Sequence, residues 1–107
     1  MNSFIAWVGG KRILRKTIIK MMPEHHTYVE VCGGGGWVLF GKEPSKVEVW
    51  NDLNSDLVNL FRVVRNRLSV FKRRQFYLMA SREEYHRFMA DIKSGTFKDD
   101  IERAIAF

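Results

Sequence analysis

Several features that restrict the class of a protein are scarce or missing in this chain of 107 residues. A single cysteine, Cys32, excludes an internal disulfide and any zinc site built from several thiolates, and it fits a reducing cytosol best. No apolar run approaches the roughly 20 residues that a membrane helix needs, and residues 1–8 are too short and too weakly basic for a signal peptide. We therefore expect a cytoplasmic protein with no membrane partner and no metal.

Acidic residues are also in the minority, with 12 Asp and Glu against 18 Lys and Arg and a formal net charge of +6. Such an excess favours an anionic partner, and nucleic acid is the leading candidate. Many soluble domains carry a similar excess without binding nucleic acid, so the charge leaves both interpretations open. The hydrophobic share of 46% lies outside the range of disordered chains, and we expect the protein to fold.

Both prolines and seven of the eight glycines lie before Asn51, and this stretch predicts alternating helices and strands. The pattern predicts a helix over 12–22, a buried strand over 27–32, a short helix over 37–40 and a strand over 46–50. A strand, glycine turn, helix and second strand form the opening βαβ unit of a doubly wound, Rossmann-like parallel sheet. The fold class is therefore α/β, and residues 1–54 form its partial Rossmann-like region.

The remainder, residues 55–107, is predicted to be helical. Asn54, Ser55 or Asp56 can cap the first helix, Ser81 and Glu84 offer a capping box for the second, and Gly95 suits its end. A last helix is predicted from Asp99 or Asp100, and the chain stops at Phe107 within the apolar face of that helix. We interpret this region as the start of a helical insertion in a longer parent protein.

The most specific local feature is the glycine run Gly33 to Gly36, directly after the predicted strand. Glycines at such a turn let the backbone approach a ligand closely, and the N-terminus of the helix predicted to follow favours negative charge. Asp52 follows Gly34 by 18 residues, at the end of the next strand, where an acidic side chain accepts hydrogen bonds from a ribose. The pair predicts a nucleotide-like ligand; the alternatives are a plain tight turn and an Asp52 that only caps the following helix.

Two common nucleotide sites do not fit. A dinucleotide fingerprint requires a third glycine where Leu39 stands, which weakens a nicotinamide-binding interpretation without removing it. The segment around Gly9, Gly10 and Lys11 is similar to a phosphate loop, but Ile5 and Arg12 occupy positions that require Gly and Ser or Thr. We reject an ATPase.

Three motifs in order carry a family resemblance. They are W-x-G-G-K from Trp7, V-E-x-x-x-G-x-G from Val29, and N-D-x-N-x-D-L-x-N-L from Asn51. Together they resemble the Dam-like class of DNA adenine N6-methyltransferases, with a match from about Phe4 to Leu68. The resemblance implies methyl transfer from S-adenosylmethionine to adenine N6 in double-stranded DNA, without a metal, and it allows a restriction endonuclease as a counterpart.

The resemblance also assigns residues to the cofactor. Trp7 and Lys11 are assigned to the cofactor pocket. The segment from Glu30 to Gly36, including Gly34 and Gly36, is assigned to the methionine side of the cofactor, and Asp52 is assigned to its ribose. A lysine suits the cofactor carboxylate because it is a point charge on a flexible stem, and a tryptophan can face a sulfonium. When residues of these types occur alone in a sequence, they are more often a surface lysine, a core tryptophan and a solvated glutamate.

Two departures from the family affect the expected function. Val31, Cys32 and Gly33 replace a Pro-Phe-Ala-type run, which loosens the turn and lowers the expected cofactor affinity. The Asp-Pro-Pro-Tyr motif that holds the target amine and stacks the flipped base does not occur in the sequence. The chain alone is therefore not expected to catalyse methylation, and the alternative is an inactive DNA-binding or regulatory remnant. The DNA target and the choice between adenine N6 and cytosine N4 stay open.

The densest basic cluster lies in the first predicted helix of the second region. It includes Arg65, Lys72, Arg73 and Arg74, interleaved with aromatic residues. Arginine and lysine in such a cluster suit contacts with DNA phosphates. A solvated helix face is an equally good explanation of the same pattern.

Overall fold

A computed structural model describes residues 1–78 and 80–107 and divides the chain into two compact units, Met1–Leu53 (unit 1) and Asn54–Phe107 (unit 2). The boundary between the two units lies one residue before the boundary predicted from the sequence. The roles predicted for the two regions stay predictions.

Unit 1 contains one helix and two strands. These are α1 (Arg15–Met21), β1 (Thr27–Glu30) and β2 (Val47–Trp50). The strands are parallel, with Thr27 opposite Val47 and Glu30 opposite Trp50. A mixed α/β unit with a parallel strand pair is confirmed, and the larger Rossmann-like sheet stays a prediction.

The short helix predicted over 37–40 is wrong, because this segment forms only turns. Its hydrogen bonds run from Phe40 N to Gly36 O (2.9 Å) and from Lys42 N to Val38 O (3.0 Å). The turns end at Gly41, whose amide donates to Val38 O at 3.0 Å, three residues back, and Pro44, which has no amide proton, follows shortly after. The predicted helix over 12–22 is likewise shorter, since residues 11–14 form a turn ahead of α1.

The prediction of a buried strand over 27–32 is also wrong for one face of the sheet. Val29 and Val31 are 55% and 66% exposed, whereas Glu30 is buried. Successive strand residues point to opposite faces, so the apolar run does not by itself bury both sides. Only the face that carries Tyr28 and Glu30 is covered by other parts of unit 1.

A buried lysine fixes the connection that leads into β2. The Lys42 ammonium donates to Glu43 O (2.8 Å), Ser45 Oγ (2.7 Å) and Glu48 Oε1 (2.5 Å), which uses all three of its protons. It also lies 4.7 Å from the ring centroid of Tyr28. The hydrogen bond from Lys42 lowers the pKa of Glu48, and burial, with the nearby Glu30 carboxylate, raises the pKa of Tyr28.

Unit 2 is helical. It contains α2 (Ser55–Phe76), which is kinked at Arg67, and then α3 (Arg82–Ser94) and α4 (Asp100–Ala106). The core is formed by α2 and α4 and consists of Leu57, Leu60, Val63, Ile101 and Ala104. Among the described residues, no helix is both long enough and apolar enough to cross a membrane.

The helix ends of unit 2 follow the predicted signals closely. Of the three residues predicted as possible caps of α2, Asn54 is the one that caps it, because its side-chain oxygen accepts hydrogen bonds from the amides of Asp56 and Leu57 at 3.0 Å. Ser81 accepts from Glu84 N at 3.1 Å, but the Glu84 carboxylate accepts from Arg87 instead of returning to Ser81, so the capping box is half formed. Gly95 ends α3 in the left-handed conformation, with φ of 70°.

Asp99 holds α4 in two ways, and this leads to a test of stability against pH. Its Oδ1 accepts from Glu102 N (2.8 Å), and both oxygens accept from Arg74 Nη1. The backbone hydrogen bond first, and then Arg74, lowers the pKa of Asp99. Asp99→Ala is expected to destabilise unit 2 by about 1–2 kcal/mol, with a smaller loss for Asp99→Asn, which keeps a capping oxygen.

The pH dependence follows from the lowered pKa. The stabilisation from charged Asp99 is present above its unfolded pKa of about 3.9 and is lost as pH falls through the lower folded value. Urea unfolding of Asp99→Asn should therefore differ from wild type at neutral pH and approach it in strong acid. The exposed Glu83→Gln serves as the control, and an equal effect of that change would contradict the role of Asp99.

Candidate functional site

The glycine run forms the turn that follows β1. Gly34 and Gly36 have φ values of 51° and 68°, a conformation that other residues adopt only at a cost. The turn is tied down at its start, where Gly33 N donates to Asn51 O (2.8 Å), and closed on itself by Gly36 N to Gly33 O (2.9 Å). Glycine is therefore required here for backbone conformation.

Asp52 lies directly beside this turn. Its Oδ2 accepts a hydrogen bond from Gly34 N at 2.8 Å, across 18 residues of sequence. Asn51 N donates to Glu30 O at 2.8 Å, which extends the strand pairing and brings the end of β2 up to the turn. The structure thus brings the predicted glycine and acidic residue together, and Asn54, not Asp52, caps the next helix.

Lys11 and Glu30 form an ion pair at the same turn. Lys11 Nζ lies 2.9 Å from Glu30 Oε1 and 2.5 Å from the carbonyl oxygen of Cys32. These two contacts leave the third ammonium proton available to a further acceptor. Glu30 is only 6% exposed, and its Oε2 has no hydrogen-bond partner among residues 1–78 and 80–107. The Tyr28 hydroxyl lies near the same carboxylate, and Oε2 keeps acceptor capacity for a further donor.

Trp7 is the third element of the site. Its indole lies against Gly34, where an added Cβ would stand 2.8 Å from Trp7 Cδ1. The turn that carries it is closed by a hydrogen bond from Gly10 N to Trp7 O (3.0 Å), with Gly9 at a φ of 74°. All six residues predicted for the cofactor therefore meet in unit 1: Trp7, Lys11, Glu30, Gly34, Gly36 and Asp52.

Two further tryptophans border the turn and were not among the residues predicted for the site. The Trp37 indole lies against Gly10 and Gly35, and the Trp50 indole lies over Gly33. Trp37 directly follows the last glycine, a signal that was available in the sequence. Trp50 was not recognisable in this way, because its position depends on the strand register that sets it opposite Glu30.

The basic residues predicted to contact DNA differ in their surroundings within unit 2. Lys72 and Arg73 are exposed, and Arg65 is exposed with its Nε hydrogen-bonded to Asn66 Oδ1 at 3.1 Å. Arg74 instead forms an ion pair with Asp99 at 2.7 Å. The structure therefore leaves three of the four side chains oriented toward solvent without an acidic partner among the described residues.

Comparison with known proteins identifies the family. The sequence profile of the D12 class N6 adenine-specific DNA methyltransferases matches residues 7–106. The chain belongs to this family. The resemblance drawn from the three sequence motifs is thereby confirmed.

Individual relatives agree with the assignment. The chain is 37% identical over 67 residues to a Type II methyltransferase of Lactococcus lactis subsp. cremoris, covering 62% of this chain and 23% of that protein. It is 28% identical over 110 residues to a DNA adenine methylase of Escherichia coli, covering 99% and 38%. A DNA adenine methylase of Serratia marcescens is 31% identical over 98 residues, covering 79% and 35%. The chain spans less than two fifths of the length of these relatives.

Proposed function

We propose that unit 1 binds S-adenosylmethionine and that the chain is the N-terminal, cofactor-binding portion of a DNA adenine N6-methyltransferase. The observation that carries the proposal is the meeting of the six predicted residues around one glycine turn, with the Lys11–Glu30 ion pair and the Asp52 carboxylate beside it. Membership in the D12 class supports the same assignment. A cytoplasmic location and a restriction-modification setting belong to the proposal too, the latter because one relative is named a Type II methyltransferase.

The residues present fit the two charged ends of an amino acid. Glu30 Oε2 offers an acceptor for the α-amino group, and the remaining Lys11 proton offers a donor for the carboxylate. Because Lys11 and Glu30 are already paired at 2.9 Å, they present opposite charges side by side without prior rearrangement. This arrangement suits a zwitterion better than a phosphate.

The other side of the turn fits a nucleoside. Asp52 supplies carboxylate oxygens for ribose hydroxyls while Gly34 N fixes its orientation, and Trp7 supplies an aromatic surface. When bound, the cofactor provides an electrophilic methyl group on a sulfonium. The chain's own part is to hold that group in position, since orientation and electrostatics are the main contributions to such a transfer.

The second part of the proposal concerns DNA. Arg65, Lys72 and Arg73 are proposed to contact phosphates of double-stranded DNA, and Arg74 to act mainly through its ion pair with Asp99. No Asp or Glu occurs between Leu57 and Ser81, whereas six Lys and Arg do. The sequence contains no Asp-Pro-Pro-Tyr motif, so the chain by itself is expected to bind and not to transfer methyl groups.

Calorimetric titration distinguishes this proposal from its alternatives. We expect the chain to bind S-adenosylmethionine and not a nicotinamide dinucleotide. Binding of the dinucleotide alone would support a nicotinamide-binding domain. Salt-dependent binding of duplex DNA without any binding of S-adenosylmethionine would instead support a DNA-binding remnant and refute the cofactor site.

A further inference from the structure

We propose that unit 1 carries a contact surface of its own for the phosphate backbone of duplex DNA, formed by Arg12, Lys16 and Lys20 (the α1 basic strip). The proposal rests on the proposed function, in that it takes DNA as the partner. It goes beyond that function by giving DNA contacts to the cofactor-binding unit and not only to α2.

Local charge is the first argument for the strip. Residues 1–23 contain five Lys and Arg and no Asp or Glu. Lys11 is neutralised by Glu30, and Arg15 donates to Asn2 Oδ1 at 2.8 Å. The other three cations, which form the strip, are exposed and have no carboxylate within ion-pair distance among the residues that the structure describes.

Spacing is the second argument. Lys16 and Lys20 are four residues apart within α1, which places them on the same side of the helix, and Arg12 lies four residues earlier in the turn that leads into it. The opposite side is directed inward, since Ile18, Ile19 and Met22 are partly buried. Four residues of α-helix advance by about 6 Å, and one DNA strand carries a phosphate about every 3.4 Å along the axis. The strip therefore suits a row of phosphates on one strand.

The first residue of the strip is also held in place. The Arg12 guanidinium carbon lies 5.5 Å from the centroid of the Trp37 ring, and that of Arg15 lies at 5.4 Å. Trp37 in turn is seated against Gly10 and Gly35. A guanidinium fixed over an aromatic ring loses less conformational entropy when it binds a phosphate.

An anionic membrane surface is the competing partner for a basic strip with apolar neighbours. Val8 and Ile13 beside the strip are 99% and 90% exposed. However, the apolar side of α1 is directed into unit 1, where Ile18 and Ile19 are partly buried, whereas an interfacial helix inserts its apolar face into the membrane. Membership in a DNA methyltransferase family also favours DNA.

The test compares two variants that lose the same charge. Arg12→Gln/Lys16→Gln/Lys20→Gln removes the strip, and Lys46→Gln/Arg82→Gln/Lys93→Gln removes three exposed cations elsewhere. Fluorescence anisotropy measures binding to a labelled duplex between about 50 and 200 mM salt, and circular dichroism verifies folding. The strip variant is expected to bind the duplex at least about tenfold more weakly than wild type. The slope of the logarithm of its binding constant against the logarithm of the salt concentration is expected to be smaller in magnitude by about two to three. The control variant is expected to change affinity less than about threefold.

Several results would overturn the inference. Equal losses in the two variants would mean that only net charge matters. A strip variant that binds like wild type, while Arg65→Gln/Lys72→Gln/Arg73→Gln binds weakly, would refute the strip and leave the proposed function intact. No binding of duplex by wild type at low salt would refute both the strip and the DNA contacts proposed for α2, whereas the cofactor site is tested separately by calorimetry. Loss of binding to phosphatidylserine vesicles, with DNA binding unchanged, would identify a membrane contact instead.

Discussion

Replacing Asp52 by asparagine is expected to weaken the binding of S-adenosylmethionine by about ten- to a hundredfold. Asp52 Oδ2 accepts from Gly34 N at 2.8 Å, so this carboxylate both orients the glycine turn and is proposed to bind the ribose. Hydrogen bonds to charged groups contribute about 1.5–3 kcal/mol, and asparagine replaces one acceptor oxygen by a donor that faces the same hydroxyls. Asp52→Ala, which removes every acceptor, is expected to lose at least as much.

Calorimetric titration of the 107-residue chain measures this effect. The exposed Glu24→Gln, which removes a negative charge from the same unit, is the matched control and is expected to leave the affinity unchanged. Lys11→Ala is expected to weaken binding too, because the Glu30 carboxylate then loses its 2.9 Å ion pair. Normal affinity in both Asp52→Asn and Lys11→Ala, with folding retained, would refute the site.

The glycine turn and Asp52 were predictable because their contact follows from local rules. A strand that runs into glycines and a second strand that ends in an acid place both at the same edge of a parallel pair. The register, with Glu30 opposite Trp50, and the hydrogen bond from Gly34 N to Asp52 are what this pattern requires. The caps at Asn54, Ser81 and Gly95 were predictable for the same reason, since each depends on a few neighbouring residues.

Features that depend on packing between distant residues were not predictable. The segment over 37–40 forms turns, with Gly41 N bonded to Val38 O at 3.0 Å, and apolar spacing does not distinguish such a run of turns from a short helix. Lys42 is buried because three acceptors converge on it, and a lysine in a loop gives no sign of that in the sequence. The exposed side of the strand pair was missed since an apolar run does not say how many of its faces are covered.

Gly33→Ala is expected to destabilise unit 1 by about 2–3 kcal/mol, the largest loss of stability among the changes considered. A Cβ at this position would approach three atoms of the Trp50 indole to well under 3.0 Å, so the ring or the turn must move. Overpacking of this kind costs about 1–3 kcal/mol. Urea unfolding followed by tryptophan fluorescence measures the change. Gly9→Ala is the control: an added Cβ there meets nothing within 4 Å, and only its φ of 74° adds strain.

A double-mutant cycle with Trp50→Leu isolates the contact. The loss in the free energy of unfolding of Gly33→Ala/Trp50→Leu is expected to be smaller, by about 1–3 kcal/mol, than the sum of the losses of the two single variants. The reason is that the smaller leucine side chain makes room for the methyl group. Strictly additive losses would mean that the indole does not limit residue 33. The sequence comparison led us to expect a loosened turn where Gly33 replaces a larger residue of the family pattern. The Trp50 ring lies over Gly33, so the space that this replacement opens is filled from β2, and the turn is supported by packing across the strand pair.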